Sequence, residues 1–246
     1  MLDVFDRSTL VIIPCCAAKR AGGNLDGAVP DPLKDLVSAS AYGQALDTRA
    51  EVLGIVRRTL KFTSDKYAKN VALTDGPDFG VPTGAALTMP ALDRYQGSLY
   101  RANGLKEEIR KALSSDDGAR VLILSALYGP LHPLSPIQDY NLMMSDTPAR
   151  SWATAFPQFL SDYAERNGIR RMALYVGSAT AYFRIARRAA APLLASGRIE
   201  TTVQYHVVDG GTRETPTRHG QLLAAQLSGA DCSSLFNKVT TRELAL

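Results

Sequence analysis

Cysteine is scarce: the 246-residue chain holds 3, two of them adjacent as Cys15-Cys16 and the third at Cys232. No Cys-x-x-Cys pair occurs, so neither a disulfide framework nor a thiolate zinc site is expected, and reduced thiols are the default. The 3 histidines, His132, His206 and His219, lack His-x-x-x-His spacing, so neither a metal nor a cofactor is expected. Long apolar runs are missing too. Residues 10–13 and 121–124 fall far short of the roughly 20 apolar residues that span a bilayer, which excludes a membrane partner. The opening Met1-Leu2-Asp3-Val4-Phe5-Asp6-Arg7 has acids where a signal peptide carries a basic region, so a cytoplasmic location is expected. Gly-x-Ser-x-Gly, Gly-x-Gly-x-x-Gly and the Walker A loop are all absent, which leaves serine-hydrolase, dinucleotide and P-loop chemistry without support.

What the chain does have is apolar content, 46% of its residues, ample for a large core. Residues 9–14, 120–125, 172–176 and 202–208 are β-branched, apolar runs that read as strands, the first three nearly continuous, as in strands covered on both faces. Helical patterns lie between and after them. Residues 105–113 place Leu105, Ile109 and Leu113 on one face. Thr147-Pro148 opens a helix that Asn167-Gly168 stops, with a kink or early break expected at Pro157. Residues 179–195 and 217–227 complete the helical set. Alternating strands and helices predict an α/β fold, a single domain over 1–246 with a central, largely parallel or mixed sheet wrapped by helices. Residues 24–32 and 75–90, rich in Gly and Pro, read as connecting loops or lids.

The net charge of +4 is unevenly spread. Arg49, Arg57, Arg58, Lys61, Lys66 and Lys69 outweigh Glu51 and Asp65 in one segment, and Arg166, Arg170, Arg171, Arg184, Arg187 and Arg188 stand without an acid in another. Such concentrations suit an anionic partner if the fold brings them to one side; otherwise they are solvated helix faces.

In open parallel sheets ligands bind beyond the carboxyl ends of strands. Three such ends are readable: Pro14-Cys15-Cys16-Ala17-Ala18-Lys19-Arg20, Ser125-Ala126-Leu127-Tyr128-Gly129-Pro130 and Gly177-Ser178-Ala179-Thr180. Lys19 and Arg20 suit a phosphate or carboxylate, and Cys15 or Cys16 beside them is either an activated or redox-sensing thiol or simply buried. Asp93-Arg94-Tyr95-Gln96-Gly97 packs an acid, a guanidinium and a phenol into one turn, as a site or as an internal Asp93–Arg94 ion pair. Arg184 and Arg188, four apart with Tyr182 nearby, suit phosphate contact and base stacking.

Four segments in this order resemble the YaaA peroxide-stress family: Ile13-Pro14 through Lys19-Arg20 to Gly22-Gly23; Ala91-Leu92-Asp93-Arg94-Tyr95-Gln96-Gly97-Ser98-Leu99-Tyr100; Leu124-Ser125-Ala126-Leu127-Tyr128-Gly129-Pro130 with Ile137-Gln138-Asp139-Tyr140-Asn141-Leu142; and Phe236-Asn237-Lys238. The resemblance implies a compact α/β body with a basic cleft, DNA binding and a role in limiting peroxide damage. The chain departs from better-studied members in residues 59–66, which lack the glycine of their helix-hairpin-helix-like segment.

The leading expectation is therefore a nucleic-acid-binding stress protein that contacts phosphate through Lys19, Arg20, Lys66, Arg94, Ser178, Arg184, Arg188 and Lys238. The alternative is an enzyme acting on a nucleobase, nucleoside or nucleotide, with a base held between Tyr95 and Tyr128. Lys19, Cys16, Asp93, Tyr95, Ser125 and Tyr128 would then be its catalytic groups.

Overall fold

The sequence Thr-Leu-Val-Ile-Ile-Pro forms the centre of the sheet because its branched side chains fill both faces; all but the last residue are buried. In the computed structural model, which describes residues 5–24, 30–59, 65–82, 86–208 and 211–244, this strand β1 (Thr9–Pro14) is flanked by β3 (Arg120–Ser125) and β6 (Arg171–Leu174), both parallel to it. β7 (Thr201–Val207) continues the parallel set beside β6. β4 (Gly129–Leu131) and β8 (Val239–Glu243) close the two edges antiparallel, giving the order β4-β3-β1-β6-β7-β8. A separate antiparallel pair joins β2 (Met89–Pro90) to β5 (Pro136–Ile137).

The helices are α1 (Leu33–Leu36), α2 (Ala39–Thr59), α3 (Ala91–Arg94), α4 (Leu105–Ser114), α5 (Trp152–Arg166), α6 (Ala181–Ala195), α7 (Gly211–Ser228) and α8 (Ser233–Phe236). α2 packs on α5 and α5 on α6, while α4 packs on α7. The sheet lies between these groups, which is why its strands read as continuous apolar runs.

Several expectations shift in detail. Thr147-Pro148 opens a 3-10 turn, Thr147–Ser151, ahead of α5, and no side chain caps it. Pro157 does not end α5, which continues to Arg166; Asn167 then donates its side-chain amide to Tyr163 O at 2.8 Å, and Gly168 takes φ 62°. α6 starts at Ala181, where Thr180 accepts from Phe183 N at 3.3 Å. On α4 the buried positions are Leu105, Ile109 and Ala112, so Leu113 sits at the border of the apolar face. α7 begins ahead of the expected 217 and carries Pro216 within it.

α2 has no counterpart among the sequence expectations. Its buried stripe is Ala41, Ala45, Thr48, Arg49, Val52, Leu53 and Val56, helical in spacing but interrupted by a threonine and an arginine, and that interruption hides the period. Arg49 is nonetheless satisfied. Its Nε donates to Tyr128 O at 3.0 Å, one Nη to Pro130 O at 3.2 Å, and the other pairs with Asp31 at 3.2 Å. It ties α2 to β4.

Candidate functional site

The order of strands decides where a crevice opens. From β1 the chain moves to β3 on one side, then crosses back over β1 to β6 and β7 on the other. A sheet built this way has its topological switch beside β1, at the carboxyl ends, where diverging connections leave room for a ligand. Cys15, Cys16 and Lys19 leave from β1 here, Ser125 from β3, and Gly177 and Ser178 follow β6.

The loop after β1 is zipped to the α3 turn by short backbone bonds. Gln96 N donates to Ala18 O at 2.9 Å, Arg20 N to Arg94 O at 2.8 Å, and Lys19 bridges Tyr95. Cys16 is seated by the same contact: Gly97 N donates to its sulfur at 3.1 Å, and a Cβ at position 97 would stand 2.9 Å from that sulfur. Burial raises the Cys16 thiol above its ordinary value, against the pull of the Gly97 amide and Lys19. Cys15 is buried within hydrogen-bond distance of the Tyr182 hydroxyl, 3.0 Å. Tyr182 therefore turns inward to β1 and does not join Arg184 and Arg188 in stacking on an exposed base.

Below lies a set of buried phenols. Tyr140 shares hydrogen bonds with Tyr95 at 2.9 Å and with Ser125 at 2.8 Å, and Lys19 Nζ stands 3.9 Å from the Tyr140 ring centroid. Nζ also donates to Cys16 O at 2.8 Å. Burial lowers the Lys19 amine from its ordinary value, while Cys15, Cys16 and Asp139 oppose that shift.

A base cannot lie between Tyr95 and Tyr128 as expected. Both rings are 0% exposed, and Tyr140 already contacts each, edge-on to Tyr128 with centroids 5.7 Å apart. Tyr128 points elsewhere, donating to Asp78 Oδ2 at 2.7 Å and stacking on Phe79. Sequence reasoning assigned Tyr140 no role, although it lies in the quoted Gln138-Asp139-Tyr140 segment.

The internal Asp93–Arg94 ion pair, one of the two readings of this turn, does not form. Asp93 accepts from Arg110 at 2.5 Å. Arg94 is 0% exposed and spends its guanidinium on backbone carbonyls: Arg20 O at 2.6 Å, Gly22 O at 2.8 Å, Leu87 O at 3.1 Å and Ile137 O at 3.1 Å. Burial lowers its pKa, but a guanidinium starts so high that it stays charged. Arg94 is thus a rivet behind the site and unable to touch a bound phosphate.

The basic segments divide. Arg57 pairs with Asp75 at 3.0 Å and Lys69 with Asp139 at 3.0 Å, while Arg49 is interior. Residues 60–64 lie outside the described residues, as does the side chain of Lys66. In the second segment Arg170 precedes β6 and Arg171 opens it, at the amino end of the sheet, paired with Glu200 and Asp6 respectively. Arg184, Arg187 and Arg188 are exposed on the first half of α6, whose start lies beyond the carboxyl end of β6. Lys238 joins that end, since its carbonyl accepts from Val208 N at 3.1 Å just beyond β7. Among the described residues Arg20, Arg184, Arg188 and Lys238 have no carboxylate partner. Ser178, half-buried, lies in the turn between β6 and α6.

The sequence model of the peroxide stress protein YaaA family matches residues 44–193, more than half of the chain. The chain belongs to this family. The matched span contains Tyr95, Ser125, Tyr140, Arg184 and Arg188, while β1, its turn and Lys238 lie outside it. No curated protein matches the chain. Membership in a peroxide-stress family brings with it a stress-response role. Among the described residues no helix is long and apolar enough to cross a membrane, and no cluster of metal-ligating side chains occurs.

Proposed function

We propose that this YaaA-family chain is a cytoplasmic, single-domain, nucleic-acid-binding protein that takes DNA across the carboxyl end of its sheet. The supporting observation is that Arg20, Arg184 and Lys238 come from three separate segments to one end of the sheet, that Arg188 stands one turn beyond Arg184 along α6, and that all four remain without carboxylate partners among the described residues. Cations free of internal partners neutralise phosphates and release counterions, so affinity falls steeply with salt. Mobility shifts on duplex and single-stranded DNA at rising salt test this. Each of Arg20→Ala, Arg184→Ala, Arg188→Ala and Lys238→Ala is expected to weaken binding across sequences and to lower the salt slope by about 1. Binding that ignores salt, or no binding, refutes the reading.

Lys19 supports a second reading, an enzyme acting on a nucleobase, nucleoside or nucleotide, for example at an N-glycosidic bond. A desolvated amine resting on an aromatic face, with its pKa lowered, is the form of lysine that acts as nucleophile. Asp93, held by Arg110, and Ser125, held by Tyr140, would orient the substrate. Lys19→Arg keeps the charge and removes the nucleophile, so it is expected to abolish turnover while sparing salt-dependent binding. Turnover unaffected by Lys19→Ala removes the role.

A further inference from the structure

Beside the strand ends lies a cavity of about 580 Å³ between residues 20–24 and β2, with Asp93, Leu134 and Pro136 on its other walls. That size suits a drug-sized or mononucleotide-sized molecule. Its polar edge is the segment Arg20-Ala21-Gly22-Gly23, whose backbone is fixed from behind. The carbonyls of Arg20 and Gly22 both point to the buried Arg94 guanidinium. In a trans peptide the N–H points opposite to its C=O, so the amides of Ala21 and Gly23 face away from Arg94. Among the described residues neither amide has a hydrogen-bond partner.

Gly23 is required for this arrangement. Its φ is +135°, and a Cβ there would stand 2.7 Å from Thr88 O, the atom that accepts from Asn24 N and holds the segment in place. Two free amides on alternate residues, beside an arginine without a carboxylate partner, supply donors for an anion. Opposite it the walls are apolar, Met89, Pro90, Leu134 and Pro136, and suit the face of a ring. Asp93 gives one oxygen to Arg110 and keeps Oδ2 free of partners among the described residues, an acceptor for an exocyclic amine.

We propose that this cavity binds a phosphomonoester of an amino-bearing nucleoside, with the phosphate on Arg20 and the Ala21 and Gly23 amides and the base against Met89 and Pro90. The ligand is either a free nucleotide or the phosphorylated end of a DNA strand; only the second source rests on the nucleic-acid reading above.

Calorimetric titration of the intact chain with dAMP, deoxyadenosine and inorganic phosphate tests the site. A DNA decamer with a 5′-phosphate and its 5′-hydroxyl counterpart are measured in parallel. The expected result is that dAMP binds at least roughly ten-fold tighter than deoxyadenosine, the margin of a charge-assisted phosphate contact, and that exposed Arg20→Ala removes the difference. Gly23→Ala is expected to do the same by displacing the segment. Tighter binding of the 5′-phosphate decamer than of its 5′-hydroxyl counterpart assigns the site to strand ends; equal binding of the two decamers, with dAMP still preferred over deoxyadenosine, assigns it to free nucleotides. Equal affinity for dAMP and deoxyadenosine, or a preference untouched by Arg20→Ala, overturns the inference. That result can stand beside salt-dependent duplex binding, and dAMP binding can stand without it, so the two proposals fail separately.

Discussion

At the scale of single residues, Arg94 shows how a charge that reads as a ligand contact serves instead as architecture. Four carbonyls from two loops and the end of β5 converge on one buried guanidinium. Arg94→Met leaves those carbonyls unpaired and is expected to cost ~3–5 kcal/mol in urea unfolding, the range for stranding buried partners of a charged group. Arg94→Lys is expected to recover little, because an ammonium cannot reproduce the planar fork. Gly129 carries a second residue-scale prediction. It opens β4 at φ +66°, and a Cβ there would stand only 2.3 Å from the nearest carbon of the Trp152 ring. Gly129→Ala adds left-handed strain to that overlap and is expected to destabilise by ~2–4 kcal/mol, read as a shift in the urea midpoint at unchanged slope.

At the scale of elements, α7 is tied to β7 through His219, whose Nε2 lies 2.7 Å from Tyr205 O and donates to it. Burial lowers its pKa to about 4, and His132, also buried, is lowered to about 4. Both groups bind a proton more readily in the unfolded chain, near pH 6.5. Their contribution to stability is therefore complete above that value and is lost as pH falls toward 4. Urea midpoints are expected to drop between pH 7 and pH 5, and His219→Gln is expected to flatten that drop while lowering stability at pH 7. A midpoint constant over this range contradicts the assignment. The elements themselves were readable to differing degrees. β1 and β3 lie where their apolar runs place them, because strands buried on both faces have no polar positions to blur the pattern. α2 escaped notice because Thr48 and Arg49 stand in its apolar stripe, and whether an arginine there is satisfied depends on Asp31, Tyr128 and Pro130, all distant in sequence.

At the scale of the whole molecule, the sheet has two ends with different electrostatic character. Arg170 and Arg171 stand at the amino end and are paired with acids, while Arg20, Arg184 and Lys238 stand at the carboxyl end, with Arg188 one turn further along α6, and none of these four has such a partner among the described residues. Arg170→Ala is expected to leave DNA affinity and its salt slope unchanged within error, whereas the double variant Arg184→Ala/Arg188→Ala is expected to lower the slope by about 2. Equal effects from both ends in a mobility-shift series would mean that net charge, and not placement, governs binding.

Local chemistry in the chain was enough to establish the α/β class, the parallel strands and the family, since each depends on short apolar runs or on motifs read within ten residues or so. It also pointed to the turn from Pro14 to Arg20 as a strand end rich in cations. Only the tertiary structure separated the charges. It buried Arg49 and Arg94 among carbonyls, paired Asp93 with Arg110, closed Tyr95 and Tyr128 around Tyr140, and left Arg20 beside a cavity. The reason is physical: periodicity reports which side chains avoid water, but the role of a buried charge is fixed by partners that the chain brings together from far apart.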